Sequence, residues 1–264
     1  MKPVRIAHLS DIHFGQENLD AVEAATAYVV AERLDLIIVS GDLTRYAEVA
    51  EFEAAARWLE RLPHPTLVTP GNHDAPYLAW AERVVAPFRR FERYIGPAAA
   101  QHWRGEQVGV CGLNTARGAQ IRLNWSKGRI DRRQSRDAVA WFQPEDLFRI
   151  VVVHHPLIEM IGGPMTANVR GGGRAAAALT QAKVDLVLSG HIHAPFAWPY
   201  PGGDGRTYAV GAGTLSRRER GTPPGFNLVE IDDLEIKVTA LAWSHAGYAP
   251  FRTWSLDRRR AAGL

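Results

Sequence analysis

Five apolar stretches of this chain run straight into residues that bind metals or move protons. "VRIAHLSDIH" delivers Asp11 and His13, "LDLIIVSGD" delivers Asp42, and "TLVTPGNHD" delivers Asn72, His73 and Asp74. "RIVVVHHP" then delivers His154, and "VDLVLSGHIH" delivers His191 and His193. Taken singly, each reads as a turn at a strand end, because Asp, Asn and Gly tolerate tight backbone conformations. Taken together they offer mixed N and O donors without sulfur, a set that suits Mn, Fe, Co or Zn better than Ca or a Mg-only site. In extended chain the imidazoles of "GHIH" point to one side, and burying such a pair without a cation or carboxylate forfeits solvation. Cys111 is the only cysteine, so an internal disulfide and a thiolate zinc site are both excluded.

The elements that must carry these residues alternate short apolar runs with longer amphipathic ones, the pattern of βαβ units with parallel strands. Strands are predicted over "VRIAHL", "LDLIIVS", "TLVTP", "QVGVCGLN", "FRIVVVHH" and "VDLVLSG". Helices are predicted over "NLDAVEAATAYVVAERL", with Asp20 and Glu23 as a capping box, and over "EVAEFEAAARWLERL". A third covers "YLAWAERVVAPFRRFERYI", where Pro87 must start, bend or break it, a fourth lies around 135–142, and a fifth covers "RAAAALTQAK". From Thr207 onward "TYAVGAG", "GFNLVEID" and "LEIKVTALAW" read as consecutive strands of a closing antiparallel section. Open α/β sheets bind ligands at the carboxyl ends of their strands, which is where all five polar clusters fall. Neither a repeat nor a linker divides the chain, so one domain over residues 1–264 is expected.

The ordered set D-x-H, G-D, G-N-H-D, a strand-end His and G-H-x-H resembles the calcineurin-like metallophosphoesterase superfamily, and it runs from Asp11 to His193. The lead "RIAHLSDIHFG" with "GNHD" looks most like the bacterial branch that includes the class III cyclic-nucleotide phosphodiesterases. The resemblance implies an α/β fold, a four-layer α/β/β/α sandwich of two mixed sheets flanked by helices, with two metal ions at the sheet edges. It assigns Asp11, His13 and His193 to one ion, Asn72, His154 and His191 to the other, Asp42 to both, and leaves His73 as the catalytic histidine. The activity it implies is hydrolysis of phosphate esters, foremost small phosphodiesters such as cyclic nucleotides, by in-line attack of a metal-bridging hydroxide. Nucleotide-sugar pyrophosphates, glycerophosphodiesters and monoesters are the other substrates of this class, and a non-catalytic interaction protein is the contrasting one. Asp74 either accepts from the His73 ring or caps the next helix.

Composition narrows the field further. At 46% hydrophobic, 22% charged and a formal net charge of +3, the chain reads as an ordinary globular protein, and so small a charge argues against a nucleic-acid partner. No apolar run is long enough to span a membrane, and His8 and Asp11 interrupt the first one before a signal-peptide core forms, so a cytoplasmic protein is expected. An apolar, membrane-facing insertion of the kind a lipid pyrophosphatase needs is not found in the sequence. His155, next to His154, should turn to the opposite face as a packing or supporting residue, and His8 reads as a hydrogen-bonded core histidine. The Arg-rich passage with Trp125 reads either as a loop over a phosphate and its organic group or as a solvated rim. "GGPMTANVRGGGR" reads as a mobile lid whose Arg170 reaches a phosphate, and Phe196, Trp198 and Tyr200 as packing near the site.

Overall fold

The computed structural model describes residues 3–63, 65–121, 124–143, 147–159 and 169–259. Two six-stranded sheets face each other. The first has the order β12-β11-β10-β1-β2-β3, built from β1 (Val4–Leu9), β2 (Leu36–Val39), β3 (Thr66–Val68), β10 (Gly225–Ile231), β11 (Glu235–Ser244) and β12 (Gly247–Asp257). The second has the order β4-β5-β6-β7-β9-β8, from β4 (Ala100–Arg104), β5 (Val108–Leu113), β6 (Phe148–Val152), β7 (Leu186–Ser189), β8 (Phe196–Pro199) and β9 (Tyr208–Gly211). Both are mixed: β1, β2 and β3 run parallel beside the antiparallel β10, β11 and β12, while β5, β6, β7 and β9 run parallel between antiparallel edge strands.

The apolar strands are apolar on both faces because each face has a partner. Along β1 and β2, Ile6, Leu36 and Ile38 point between the sheets, where they meet Val110, Ile150 and Leu186 of the second sheet. Their neighbours Ala7, Leu9, Ile37 and Val39 point outward against Val22 and Val29 of α1 (Leu19–Ala31), Phe52 of α2 (Val49–Leu59) and Phe91 of α4 (Arg89–Tyr94). On the far side, Cys111, Val151 and Val187 pack on Ala138 of α5 (Arg132–Trp141) and Leu179 of α6 (Gly172–Gln181). These three apolar interfaces define the four layers, and each buried Leu, Ile or Val in them contributes about 1.5–3 kcal/mol.

Several local expectations give way to tertiary context. Asn18 caps α1 by accepting from Ala21 N at 3.2 Å, so the Asp20–Glu23 box does not form. The third helix breaks at Pro87 into α3 (Trp80–Val85) and α4, as a proline without an N–H requires. The strands β4, β8 and β12 lie outside the expected set; the residues of β4 and β12 are mostly exposed and carry little apolar alternation. The largest revision concerns "TYAVGAG", which pairs parallel to β7 in the second sheet instead of starting the antiparallel section of the first.

Candidate metal centre

Carboxyl ends of β1, β2, β3, β6 and β7 meet at one edge of the sandwich, and the predicted residues come together there. Asp11 N donates to Gly41 O and His13 N to Asp42 O, each at 3.0 Å, which staples the loop after β1 to the loop after β2. Asp11 Oδ2 accepts from His191 N at 2.9 Å, and Asp42 Oδ1 accepts from His73 N at 2.8 Å. Each carboxylate therefore spends one oxygen on holding a neighbouring loop and turns the other into the cluster. Such closeness demands glycine: a Cβ at Gly71 would overlap the Asp42 carboxylate, and one at Gly190 would overlap Ser10 and Asp11.

The backbone here is strained. Of the seven described non-glycine residues with positive φ, five are Asp11, His13, Asp42, His191 and His193, at φ 52 to 68°. Left-handed conformations at such residues cost on the order of 1–3 kcal/mol each and persist where the surrounding fold imposes them. His191 and His193 are thus not in extended chain, and alternation is not what aims them. They diverge: His193 joins Asp11 and His13, whereas His191 joins His154 and His155.

Ring orientation is set by backbone carbonyls, which can only accept. His13 Nδ1 donates to Thr44 O at 3.2 Å, His154 Nδ1 to Ser40 O at 2.8 Å, His193 Nδ1 to Arg218 O at 2.8 Å and His73 Nδ1 to Arg45 O at 2.6 Å. Each Nε2 is left with its lone pair. His13 Nε2 lies 3.4 Å from His193 Nε2, so two lone pairs confront each other, and Asp11 Oδ1 is 3.1 Å from the latter. His154 Nε2 lies 3.3 Å from Asp42 Oδ2. Four buried atoms of the cluster, Asp11 Oδ1, Asn72 Oδ1, His154 Nε2 and His191 Nε2, have no hydrogen-bond partner. Unpaired buried acceptors of this kind are costly, and converging N and O lone pairs are what a divalent cation needs, so the donor set fits a metal.

Electrostatics of the side chains alone agree. Burial, followed by the His193 imidazole for Asp11 and the His154 imidazole for Asp42, acts on both carboxylates; the imidazoles outweigh burial and hold both well below the usual carboxylate range. Burial lowers His13 to about 3 despite the Asp42 charge, and it pushes His191 well below its ordinary value with help from His155 and His154. His154 goes the other way and does not agree: burial opposes its charge, but Asp42 and Asp11 raise it to about 9, so its Nε2 has to give up a proton before it can offer a lone pair to a cation.

His155 does not turn to the opposite face, since its ring centroid lies 4.5 Å from that of His191, but its nitrogens are taken by Thr115 Oγ1 at 2.9 Å and Ser126 O at 2.8 Å, which leaves it a supporting position. His8 is the expected core histidine, bonded through Nε2 to Ser40 Oγ at 2.9 Å. Asp74 neither touches the His73 ring nor caps a helix. It accepts from Gly71 N at 2.8 Å, Thr44 N at 2.9 Å and Thr44 Oγ1 at 2.9 Å, tying the loops after β2 and β3, and burial followed by the Asp42 charge raises it to about 7.

The cluster floors a cavity of about 700 Å³. Asp42, Asn72 and His191 line its base, and Trp80, Trp125 and Arg218 its walls. Tyr77 stacks on the His73 ring at 6.2 Å with planes 8° apart. Trp125 lines the cavity and is partly exposed there. Arg170 does not line this cavity; its backbone pairs with Gly128 and Ile130. Residues 160–168 of the glycine-rich segment, and Arg122 and Leu123 of the Arg-rich one, lie outside the described residues. Phe196 and Tyr200 are packed in the core, away from the cavity walls. Tyr77, Trp80, Arg83, Arg218 and Arg220 were missed by sequence reasoning. Arg218 and Arg220 lie beyond β9, which runs parallel to β7 and so ends at the same edge, a placement that the sequence reading of this strand as part of the antiparallel section concealed. Among the described residues no helix is long and apolar enough to cross a membrane.

A family model for calcineurin-like phosphoesterases matches residues 4–195. The glycerophosphodiester phosphodiesterase GpdQ of Enterobacter lignolyticus is 38% identical over 81 residues, 26% of this chain and 29% of that protein. The 3',5'-cyclic adenosine monophosphate phosphodiesterase CpdA of Escherichia coli is 26% identical over 207 residues, 72% of this chain and 70% of its own. The chain therefore spans less than a third of the first relative's length and somewhat over two thirds of the second's. A dimetal phosphatase of Danio rerio shares the fold at a TM-score of 0.69, covering 97% of this chain and 99% of its own with 9% identity. With the family match extending over most of the chain, and with His and Asp side chains that could hold metal ions gathered at its sheet edges, the chain belongs to the calcineurin-like phosphoesterase family.

Proposed function

We propose that this chain hydrolyses phosphodiesters at a two-metal centre. Asp11, His13 and His193 hold one ion, Asn72, His154 and His191 the other, and Asp42 both, with residues 1–264 acting as one domain. The observation that carries the reading is the convergence of buried, unpartnered lone pairs on Asp11, Asn72, His154 and His191. When bound, a pair of divalent cations supplies Lewis acidity toward phosphoryl oxygens and lowers the pKa of water from ~15.7 to about 7.

The chain's own residues supply the rest. The Nδ1–H donors on backbone carbonyls keep the Nε2 lone pairs of His13, His154 and His193 aimed inward. His73 sets its ring edge-on to His13, with centroids 4.8 Å apart, and presents to the cavity an Nε2 that accepts from Arg218 Nη1 at 3.0 Å; only when it is protonated there, with Arg218 turned to the phosphate, does it donate to a developing oxyanion or leaving oxygen. Trp80 and Trp125 offer apolar faces to the organic part of the ester. Support for a diester comes from relatives named for glycerophosphodiesters and cyclic adenosine monophosphate. Mn, Fe, Co and Zn all suit the donor set.

The test is hydrolysis of bis(p-nitrophenyl) phosphate by protein reconstituted with each of these metals, with and without chelator. Metal-dependent turnover is expected, and a panel of cyclic nucleotides, glycerophosphodiesters, nucleotide sugars and monoesters then ranks the substrates. No turnover in any metal would overturn the reading in favour of a non-catalytic scaffold.

A further inference from the structure

We propose that Arg218 is a phosphate-binding residue of this centre, whose guanidinium couples the His73 ring to the phosphoryl oxygens of the substrate. The inference rests on the phosphoesterase reading and assigns it a residue outside the metal-ligating motifs.

Arg218 lies on the segment after β9, and that segment is pinned to the cluster along its length. Thr214 Oγ1 donates to Asp11 O at 2.6 Å, and Ser216 Oγ accepts from Arg218 N at 3.2 Å. Arg218 O takes the His193 Nδ1 proton at 2.8 Å, and Thr222 Oγ1 donates to His193 O at 3.1 Å. A segment tied at three points to Asp11 and His193, and braced internally by Ser216, fixes where the side chain starts. That side chain is half-buried, lines the cavity and donates from Nη1 to His73 Nε2 at 3.0 Å.

A guanidinium carries five N–H groups in a planar fork that matches two phosphate oxygens. Among the described residues no carboxylate forms an ion pair with Arg218. Arg220 lines the same wall, where burial and then the Arg218 charge hold it below its ordinary pKa. Two guanidinium groups therefore stand beside the floor of the cavity, and Arg218 among them is the one that donates to the His73 ring. A substrate phosphate draws the fork to its own oxygens, and the Nη1 donor that leaves His73 Nε2 frees that nitrogen to carry a proton toward the same phosphate.

The experiment compares Arg218→Ala, Arg218→Met and Arg218→Lys with the unaltered protein after manganese reconstitution. It measures metal content, the affinity for inorganic phosphate by titration calorimetry, and KM and kcat for bis(p-nitrophenyl) phosphate. Loss of charge-assisted hydrogen bonds should weaken phosphate binding and raise KM about 10- to 100-fold in the Ala and Met variants. Metal content should stay unchanged, because His193 is held by the Arg218 backbone carbonyl, which every variant retains. Arg218→Lys should recover part of the loss, since it restores charge without the fork. A fall in kcat with KM and phosphate affinity untouched would overturn the proposal and leave Arg218 as a prop for the His73 ring. Arg218→Met keeps the aliphatic stem, so it supplies the answer if the alanine variant fails to fold. If the unaltered protein turns over no ester, the hydrolase reading fails by itself, while the phosphate titration still decides what Arg218 does.

Discussion

Replacing His8 by glutamine should flatten the acid sensitivity of the fold. His8 is fully buried in β1, bonds Ser40 Oγ through Nε2 and leaves Nδ1 without a partner. Burial, against a smaller opposing pull from Asp11, lowers its pKa from the ordinary 6.5 to about 3. The unfolded chain thus takes up a proton at a pH where the folded chain refuses it. Stability from this residue is complete above pH 6.5 and drains away as pH falls toward about 3. At 1.36 kcal/mol per unit, moving from pH 7 to pH 5 removes about 2 kcal/mol through His8 alone. Urea unfolding, monitored by tryptophan fluorescence with chelator present, measures the loss between the two pH values in each protein. His8→Gln keeps an amide for Ser40 and cannot titrate, so its loss should be smaller by about 2 kcal/mol. Other buried histidines, His155 among them, titrate in both proteins and cancel in the comparison. An equal loss in the two proteins would refute the account of His8 as a buried neutral imidazole.

His73→Ala should cut turnover by about 10²- to 10⁴-fold while metal content, read by elemental analysis, stays at the unaltered level; full activity on every ester would remove His73 from the mechanism. Asp42→Ala should lose metal and turnover together, and retention of both ions would disprove the shared-ligand assignment. Gly71→Ala pushes a methyl into the Asp42 carboxylate and should cost about 1–3 kcal/mol of stability along with metal affinity, checked by thermal melts with and without manganese.

How much of this was legible depended on what each residue answers to. Ile6, Ile37 and Ile150 sit in strands apolar enough that only a doubly covered sheet can hold them, so the central parallel strands and most of the outer helices could be read from pattern, while the pairing of two sheets came from the family resemblance. The clustering of polar residues was legible because Asp11, Asp42, Asn72 and His154 follow such runs within a few positions. The geometry of "GHIH" was not, because left-handed φ at His191 and His193 is imposed by contacts such as Asp11 Oδ2 on His191 N, which come from residues far away in the chain. Asp74 was misread for a related reason. Its acceptors serve Thr44 and Gly71 across two loops, and no local pattern announces that. Arg218 was invisible once β9 was placed in the wrong sheet, since strand direction decides which end of a strand faces the site.

The two sheets contribute to the cluster unequally in sequence but jointly in space: Asp11, His13, Asp42 and Asn72 descend from one, His154, His191 and His193 from the other. A cation held by both halves, as proposed, would act as a rivet through the seam between the β layers, adding to a dry interface a crosslink that can be withdrawn. Occupancy at 100 times the dissociation constant would be worth about 2.7 kcal/mol to the docked arrangement. Amide exchange along the facing strands should therefore quicken on chelation throughout the seam, well beyond the loops that touch the ion.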